Sequence, residues 1–269
     1  MEGIIEVKTA DIVAAETRAD IDAQVATAKM YPRNLTNVLS EIETMATLDE
    51  ETAMECFYVL PRSGKDIEGV SVRLAEIIAS AWGNLRVQTR ITANDGKMIT
   101  AQSVCHDLEK NVAIAVEVKR RITDKYGKTY NEDMQVVTGN AASAIAFRNA
   151  VLKVIPKAVT KRTLDTIKKV SLGNAADMTT RRRNVVAFYS KFNITEEQLL
   201  QFLEIDKIDR IDAEMLFQLQ GIANAIREGS TTAQESILDV IKERENEAKA
   251  KAAKSEAESK VMEAMNKQK

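Results

Sequence analysis

The sequence predicts an α+β fold: a twisted antiparallel sheet, made of a strand meander and a long hairpin, with helices on one face and a C-terminal helical module. Three observations predict it. Residues 85–92 and 112–118 alternate apolar and polar side chains with the two-residue period of half-buried strands. Asn94-Asp95-Gly96, between them, is a hairpin turn signal. From Lys157 onward the pattern is helical throughout.

The elements follow in order. Residues 9–30 predict an acidic helix ended by Pro32, and Asn34–Met45 a second, with Leu35, Val38, Leu39 and Ile42 on one face. Thr47–Glu51 reads as a break and a new helix start. Cys56–Leu60 is a β-prone run, Arg62–Lys65 a turn, and Asp66–Gly69 the returning strand of a hairpin. Ser71–Trp82 predicts a helix with Val72, Ala75, Ile78, Ala79 and Trp82 inward, stopped by Gly83. Three strands follow, at 85–92, 98–105 and 112–118. Alternation puts Arg86, Gln88 and Arg90 together on an outer face. It sets Val112, Ile114, Val116 and Val118 inward, opposite Glu117, Lys119 and Arg121. Asp124–Lys128 predicts the tip of a further hairpin returning through Asp133–Val137. Thr138-Gly139-Asn140 then opens a helix stopped by Pro156. The last stretch, rich in Lys, Glu and Ala, predicts a frayed helix or disorder. No long internal repeat is present.

At 269 residues and 45% hydrophobic, the chain is long enough for one large domain plus appendages; at 4% aromatic, its core must rest on Val, Ile, Leu and Ala. No run approaches the ~18 apolar residues of a membrane span. The N-terminus lacks the basic start and apolar stretch of a secretory signal. Cys56 and Cys105 do not make a disulfide scaffold, so a reducing cytoplasm is expected.

The net charge of −2 hides an asymmetry. Residues 1–55 carry a balance of −8, residues 56–175 of +8 (19 Lys and Arg against 11 Asp and Glu), and residues 176–269 of −2. The basic middle segment predicts a polyanionic partner.

Sites for covalent chemistry are few. Ser63-Gly64-Lys65 lacks the first glycine of a phosphate-binding loop, and Asp66 stands where that loop needs Ser or Thr. His106 is the only histidine, and neighbouring Cys105 points to the opposite strand face. Cys56, Cys105 and His106 cannot make four zinc ligands without a carboxylate, and no Cys-x-x-Cys spacing exists. Asp107 with Glu117-Val118-Lys119 matches the spacing of a Mg²⁺-dependent nuclease core, in which two carboxylates hold the metal and the lysine orients water. A solvated strand face is the preferred reading of those three. No cofactor or metal is expected.

The basic constellation is richer: Lys119, Arg120, Arg121, Lys125 and Lys128 on a strand and the tip beyond it, then Arg148 and Lys153 on a helix, with Arg86 and Arg90 on the sheet. Such side chains neutralise phosphates without reading sequence. Tyr126, Tyr130 and Phe147 lie among them and have the flat faces on which bases stack. Phe147 shares a helix face with Val151 and Val154 and reads as core; the two tyrosines fit either role.

The order of helix, three-strand meander, hairpin and small-residue helix resembles the phage single-strand annealing proteins, the superfamily that includes Erf and RecT. Residues 138–152 (TGNAASAIAFRNAVL) look like that family's small-residue helix, and the resemblance makes Arg148, with Lys153 one turn on, its DNA-groove residues. Residues 194–200, 216–229 and 231–235 look like the helical tail of many phage recombination proteins. The resemblance covers about residues 56–235 in layout. It implies ATP-independent binding of single-stranded DNA and annealing of complementary strands by a homo-oligomeric ring or filament in the bacterial host cytoplasm. A host single-strand-binding protein or a phage exonuclease would be a further partner. The alternatives are the Mg²⁺-dependent exonuclease and a structural phage protein contacting packaged DNA.

The resulting division is an acidic helical lead-in at 1–55, an annealing core at 56–171, a helical module at 172–235 and a charged tail at 236–269. The lead-in is expected to make the contact between subunits.

Overall fold

The computed structural model describes residues 9–61, 66–172 and 178–266, with side chains from Ala10 to Ala253. The fold is α+β, with one three-stranded and one two-stranded antiparallel sheet and a helical C-terminal region. It divides into two compact units, residues 1–49 with 72–167, and residues 50–71 with 168–269. Among the described residues, no helix is long and apolar enough to cross a membrane.

The first unit opens with α1 (Thr9–Met30) and α2 (Leu35–Ala46). Asn34 starts α2 by accepting hydrogen bonds from the amides of Thr36 and Asn37. Helix α2 buries Val38, Ile42 and Ala46, while Leu35 stays exposed. Helix α4 (Val72–Trp82) packs on α2 and buries Leu74, Ala75, Ile77, Ile78, Ala81 and Trp82, a wider face than the expected stripe, on which Val72 and Ala79 are only half-buried. Gly83 and Asn84, both at positive φ, end it.

Strands β3 (Leu85–Asn94), β4 (Met98–Asp107) and β5 (Val112–Arg121) form the meander in the order β3-β4-β5. The register is regular except for a bulge at Thr92, between Ile91 and Ala93. Helix α5 (Glu132–Val154) covers one face. There Ile99, Ala101, Ile122, Ala142 and Ala146 form a core, with Val118 and Tyr130 packed against it. Gly139 lets helix and sheet approach: a Cβ there would stand 3.0 Å from Ile99 Cδ1.

The expected hairpin return through Asp133–Val137 is helical instead. Only one bridge, Thr123 to Thr129, closes the tip, and α5 starts at Glu132. The reason is a cap: the Asn131 side chain accepts from the Met134 amide, and Glu132 and Asp133 place negative charge on the first turn. Helix α6 (Lys157–Leu172) follows, and within the first unit its Arg162 pairs with Glu43 of α2 at 2.6 Å.

The second unit combines α3 (Glu50–Glu55) and the hairpin β1 (Phe57–Leu60) and β2 (Ile67–Val70) with α7 (Met178–Ser190), α8 (Glu196–Leu203), α9 (Ala213–Arg227), a π-helical turn (Gln234–Leu238) and α10 (Asp239–Asn266). The hairpin groups with these helices rather than with the meander, so the expected boundaries at 55/56 and 171/172 are not where the units divide. Packing explains it. The Phe57 and Phe217 rings stack at 3.8 Å, and the Asn224 amide donates to the carbonyls of Met54 and Phe57 at 2.6 and 2.8 Å. Buried Tyr189 donates to the Leu219 carbonyl at 2.8 Å. The tail is helical to Asn266 rather than disordered, and from Lys242 to Ala253 it is exposed. The turn expected at Arg62–Lys65 lies outside the described residues.

Candidate nucleic-acid interface

Register decides which cations share a surface. Strand β4 pairs His106 with Arg86 and Ala113, Val104 with Gln88 and Ala115, Gln102 with Arg90 and Glu117, Thr100 with Lys119, and Met98 with Arg121. All of these point away from α5, whose own face takes Ile99, Ala101, Ser103, Cys105 and Asp107. Arg86, Arg90, Lys119 and Arg121 therefore stand on one outer sheet face with Glu117 as its one acid. From the Arg86 rung to the Arg121 rung the face runs about 27 Å, at roughly 3.4 Å per residue.

The middle rung is a polar ladder: Arg90 donates to Gln102 Oε1 at 3.1 Å, and Gln102 donates to Glu117 at 3.4 Å. Arg86 is half-buried and donates to Gln24 of α1 at 3.1 Å. The other cations of the face are exposed.

Beyond Arg121, the tip carries Lys125 and Lys128, and the neighbouring β3–β4 turn carries Lys97, which sequence reasoning missed. The Ile122 amide donates to the Lys97 carbonyl at 2.8 Å, and Thr129 Oγ1 to the Gly96 carbonyl at 2.7 Å, so the two turns sit side by side. The position of Lys97, immediately after Asn-Asp-Gly, was the available signal. Acids at these turns bond the backbone. Asp95 accepts from the Met98 and Lys97 amides, which hold its carboxyl below the usual range. Asp124 accepts from the Tyr126 and Lys128 amides.

Three expected residues fall elsewhere. Arg120 pairs with Ile99, so it points to the α5 side and is half-buried. Arg148 is buried, only 7% exposed. Lys153 is exposed in the last turn of α5, about 30 Å along the helix from its start next to the tip. Ala142 and Ala146 of the small-residue helix pack on the sheet.

The Asp107, Glu117, Lys119 set is not assembled. Asp107 faces α5, Glu117 and Lys119 face outward, and Glu117 lies about 17 Å along β5 from the residue paired with Asp107. Asp107 belongs to a buried network instead. Arg33 donates to its two oxygens at 2.6 and 2.8 Å and contacts Glu109 Oε1 through Nε at 2.9 Å. The Arg33 guanidinium lies 4.9 Å from the Trp82 ring centroid. Burial alone would raise the Asp107 pKa, but Arg33 and the Lys110 amide outweigh it and hold the carboxyl below its usual range. Among the described residues, no three His, Cys, Asp or Glu side chains are grouped to hold a metal. Cys105 is buried, which together with nearby Asp107 pushes its thiol up to about 11, while His106 on the outer face bonds Asn111 at 3.0 Å. Compared with known proteins, the chain has no significant match to any family model, curated protein or solved structure.

Proposed function

We propose that this chain binds single-stranded DNA, with little sequence preference, on the outer face of its three-stranded sheet and the adjoining tip, and that it anneals complementary strands without ATP during phage recombination. The observation that carries this reading is the register that gathers Arg86, Arg90, Lys119 and Arg121 on one face and places Lys97, Lys125 and Lys128 at its end. Cations in a row neutralise phosphates while leaving base edges free. Watson–Crick pairing then does the selecting, and no covalent step is required. One subunit holds a few nucleotides, so the working form is a homo-oligomer that aligns several faces.

Binding should weaken steeply with salt, each phosphate contact adding roughly 0.7 to the log–log slope for a single strand. A slope near zero at physiological salt would sink the proposal. Annealing and degradation of labelled strands, followed side by side with and without Mg²⁺, complete the test. Annealing in both conditions is expected, and Mg²⁺-dependent degradation without annealing would overturn the reading.

A further inference from the structure

Of the three aromatic side chains among the basic residues, only one is left unpacked. Tyr130 packs on the core under α5, and Phe147 is half-buried on the helix. Tyr126 is 84% exposed, more than any other large hydrophobic side chain among the described residues. A lone exposed apolar residue means little by itself. What singles out Tyr126 is the way it is held.

Its turn is fixed by hydrogen bonds from several directions. Asp124 Oδ1 accepts from the amides of Tyr126 and Lys128, both at 2.9 Å. The Asp124 amide donates to the Lys128 carbonyl at 2.9 Å, and the Gly127 amide donates to the Asp124 carbonyl at 3.1 Å, with Gly127 at φ +84°. Thr123 bridges to Thr129, and Thr129 ties the tip to the β3–β4 turn. The backbone under the ring is therefore ordered before any ligand arrives, which lowers the ordering cost of binding. Lys125 places its ammonium 5.0 Å from the ring centroid. Lys97, Lys128 and Arg121 surround the turn at the end of the basic face.

An exposed aromatic face on a fixed backbone, beside a line of cations, is the arrangement that binds an unpaired base. The cations hold the phosphates, and the ring takes the flat face that every base offers, so recognition tolerates any sequence. A duplex keeps those faces stacked internally and offers the ring one only at its ends.

We infer that Tyr126 is the base-stacking residue of this interface: its ring stacks on an unpaired base of the strand whose phosphates the neighbouring cations neutralise. The inference rests on the proposed single-strand binding. Stacking makes Tyr126 a determinant of preference for single over double strands, separate from the charge term.

The test uses the full chain and two labelled single strands of equal length, one with all its bases and one abasic over its central stretch. Fluorescence anisotropy gives the affinities, and 2-aminopurine in the intact strand reports stacking by quenching. Tyr126→Ala should bind the intact strand on the order of tenfold more weakly, as loss of one base–aromatic stack implies. It should abolish the local quench and leave the abasic affinity, the salt slope and the thermal midpoint unchanged. Tyr126→Phe should restore affinity and quench. Equal affinities of wild type and Tyr126→Ala for the intact strand, or equal losses on both strands, overturn the inference while leaving single-strand binding standing. If wild type binds neither strand, the single-strand reading itself falls, and this inference with it.

Discussion

Arg33 holds two carboxylates that would otherwise be buried without a counter-charge. Its side chain is 7% exposed, those of Asp107 and Glu109 are 6% and 12% exposed, and the Asn84 amide adds a hydrogen bond to Glu109 at 2.7 Å. Removing one partner of such a pair strands the other, at a cost of about 3–5 kcal/mol. Arg33→Met should therefore lower the denaturant midpoint by that equivalent, and a loss under about 1 kcal/mol would show that the network is not a structural anchor. Acid should act on the same residue. The folded pKa of Asp107 lies below its unfolded value of about 3.9. Its contribution is thus complete well above pH 4 and fades as pH falls through the depressed value. An unfolding series across the acid range should show this loss in the wild type and a shallower one in Arg33→Met. None of it was legible in the sequence, because Arg33 and Asp107 are 74 residues apart and each looks like an ordinary charged surface residue. Arg120 and Arg148 misled for a related reason: a run of cations states charge, while strand parity and helix packing decide which side each one faces.

The elements that could be read from the sequence were those whose period was strong. That Arg86 and Arg90 share a face with Lys119 and Arg121 follows only from the register, but the alternation in β3 and β5 carried their existence, so each strand's part of the outer row was legible in the sequence. The start of α5 was not, because Val136 and Val137 are β-branched and read as a strand. They are 61% and 58% exposed, surface residues whose propensity gave way to the Asn131 cap and to the burial of Gly139, Ala142 and Ala146 further along. The placement of β1 was hidden too, since what ties it to α9 is Gly221. A Cβ there would clash with the Val59 side chain and stand 3.0 Å from the Val59 amide nitrogen. Gly221→Ala should cost about 1–3 kcal/mol by overpacking, read as a lowered thermal midpoint. An unchanged midpoint would mean that the hairpin shifts freely to make room. On the outer face, Arg90, Lys119 and Arg121 changed together to Ala should reduce the single-strand salt slope by about 2, while Arg120→Ala should leave it alone. Equal effects of the two would mean that the strand runs elsewhere.

For the whole molecule, the proposed assembly follows from what one copy leaves uncovered. The outer face has room for only a few nucleotides, whereas annealing requires a long extended strand. The first half of α1 projects without packing: from Ala10 to Asp20 every described residue except Thr17 is exposed, including Ile12 at 45% and Val13 at 55%. That stretch carries Asp11, Glu16 and Asp20 against Arg18, and the sheet face it would meet on another copy is basic. An acidic, partly apolar arm and a basic face are unlike surfaces, and contacts between unlike surfaces run head to tail into rings or filaments. Part of the opposed charge is already spent within the copy, since Glu43 pairs with Arg162, so the arm itself must supply the rest. Helix α1 also dictates how the arm can be tested. Ala28 is fully buried and Ile21 and Val25 are half-buried, so removing all of residues 1–30 would disturb the fold, whereas removing residues 1–20 spares them. Light scattering, with and without a long oligonucleotide, should show a multimer for the full chain and for a chain shortened by its exposed tail, and a smaller species once residues 1–20 are gone. If the full chain stays monomeric in both conditions, neither the arm contact nor annealing by aligned subunits can stand.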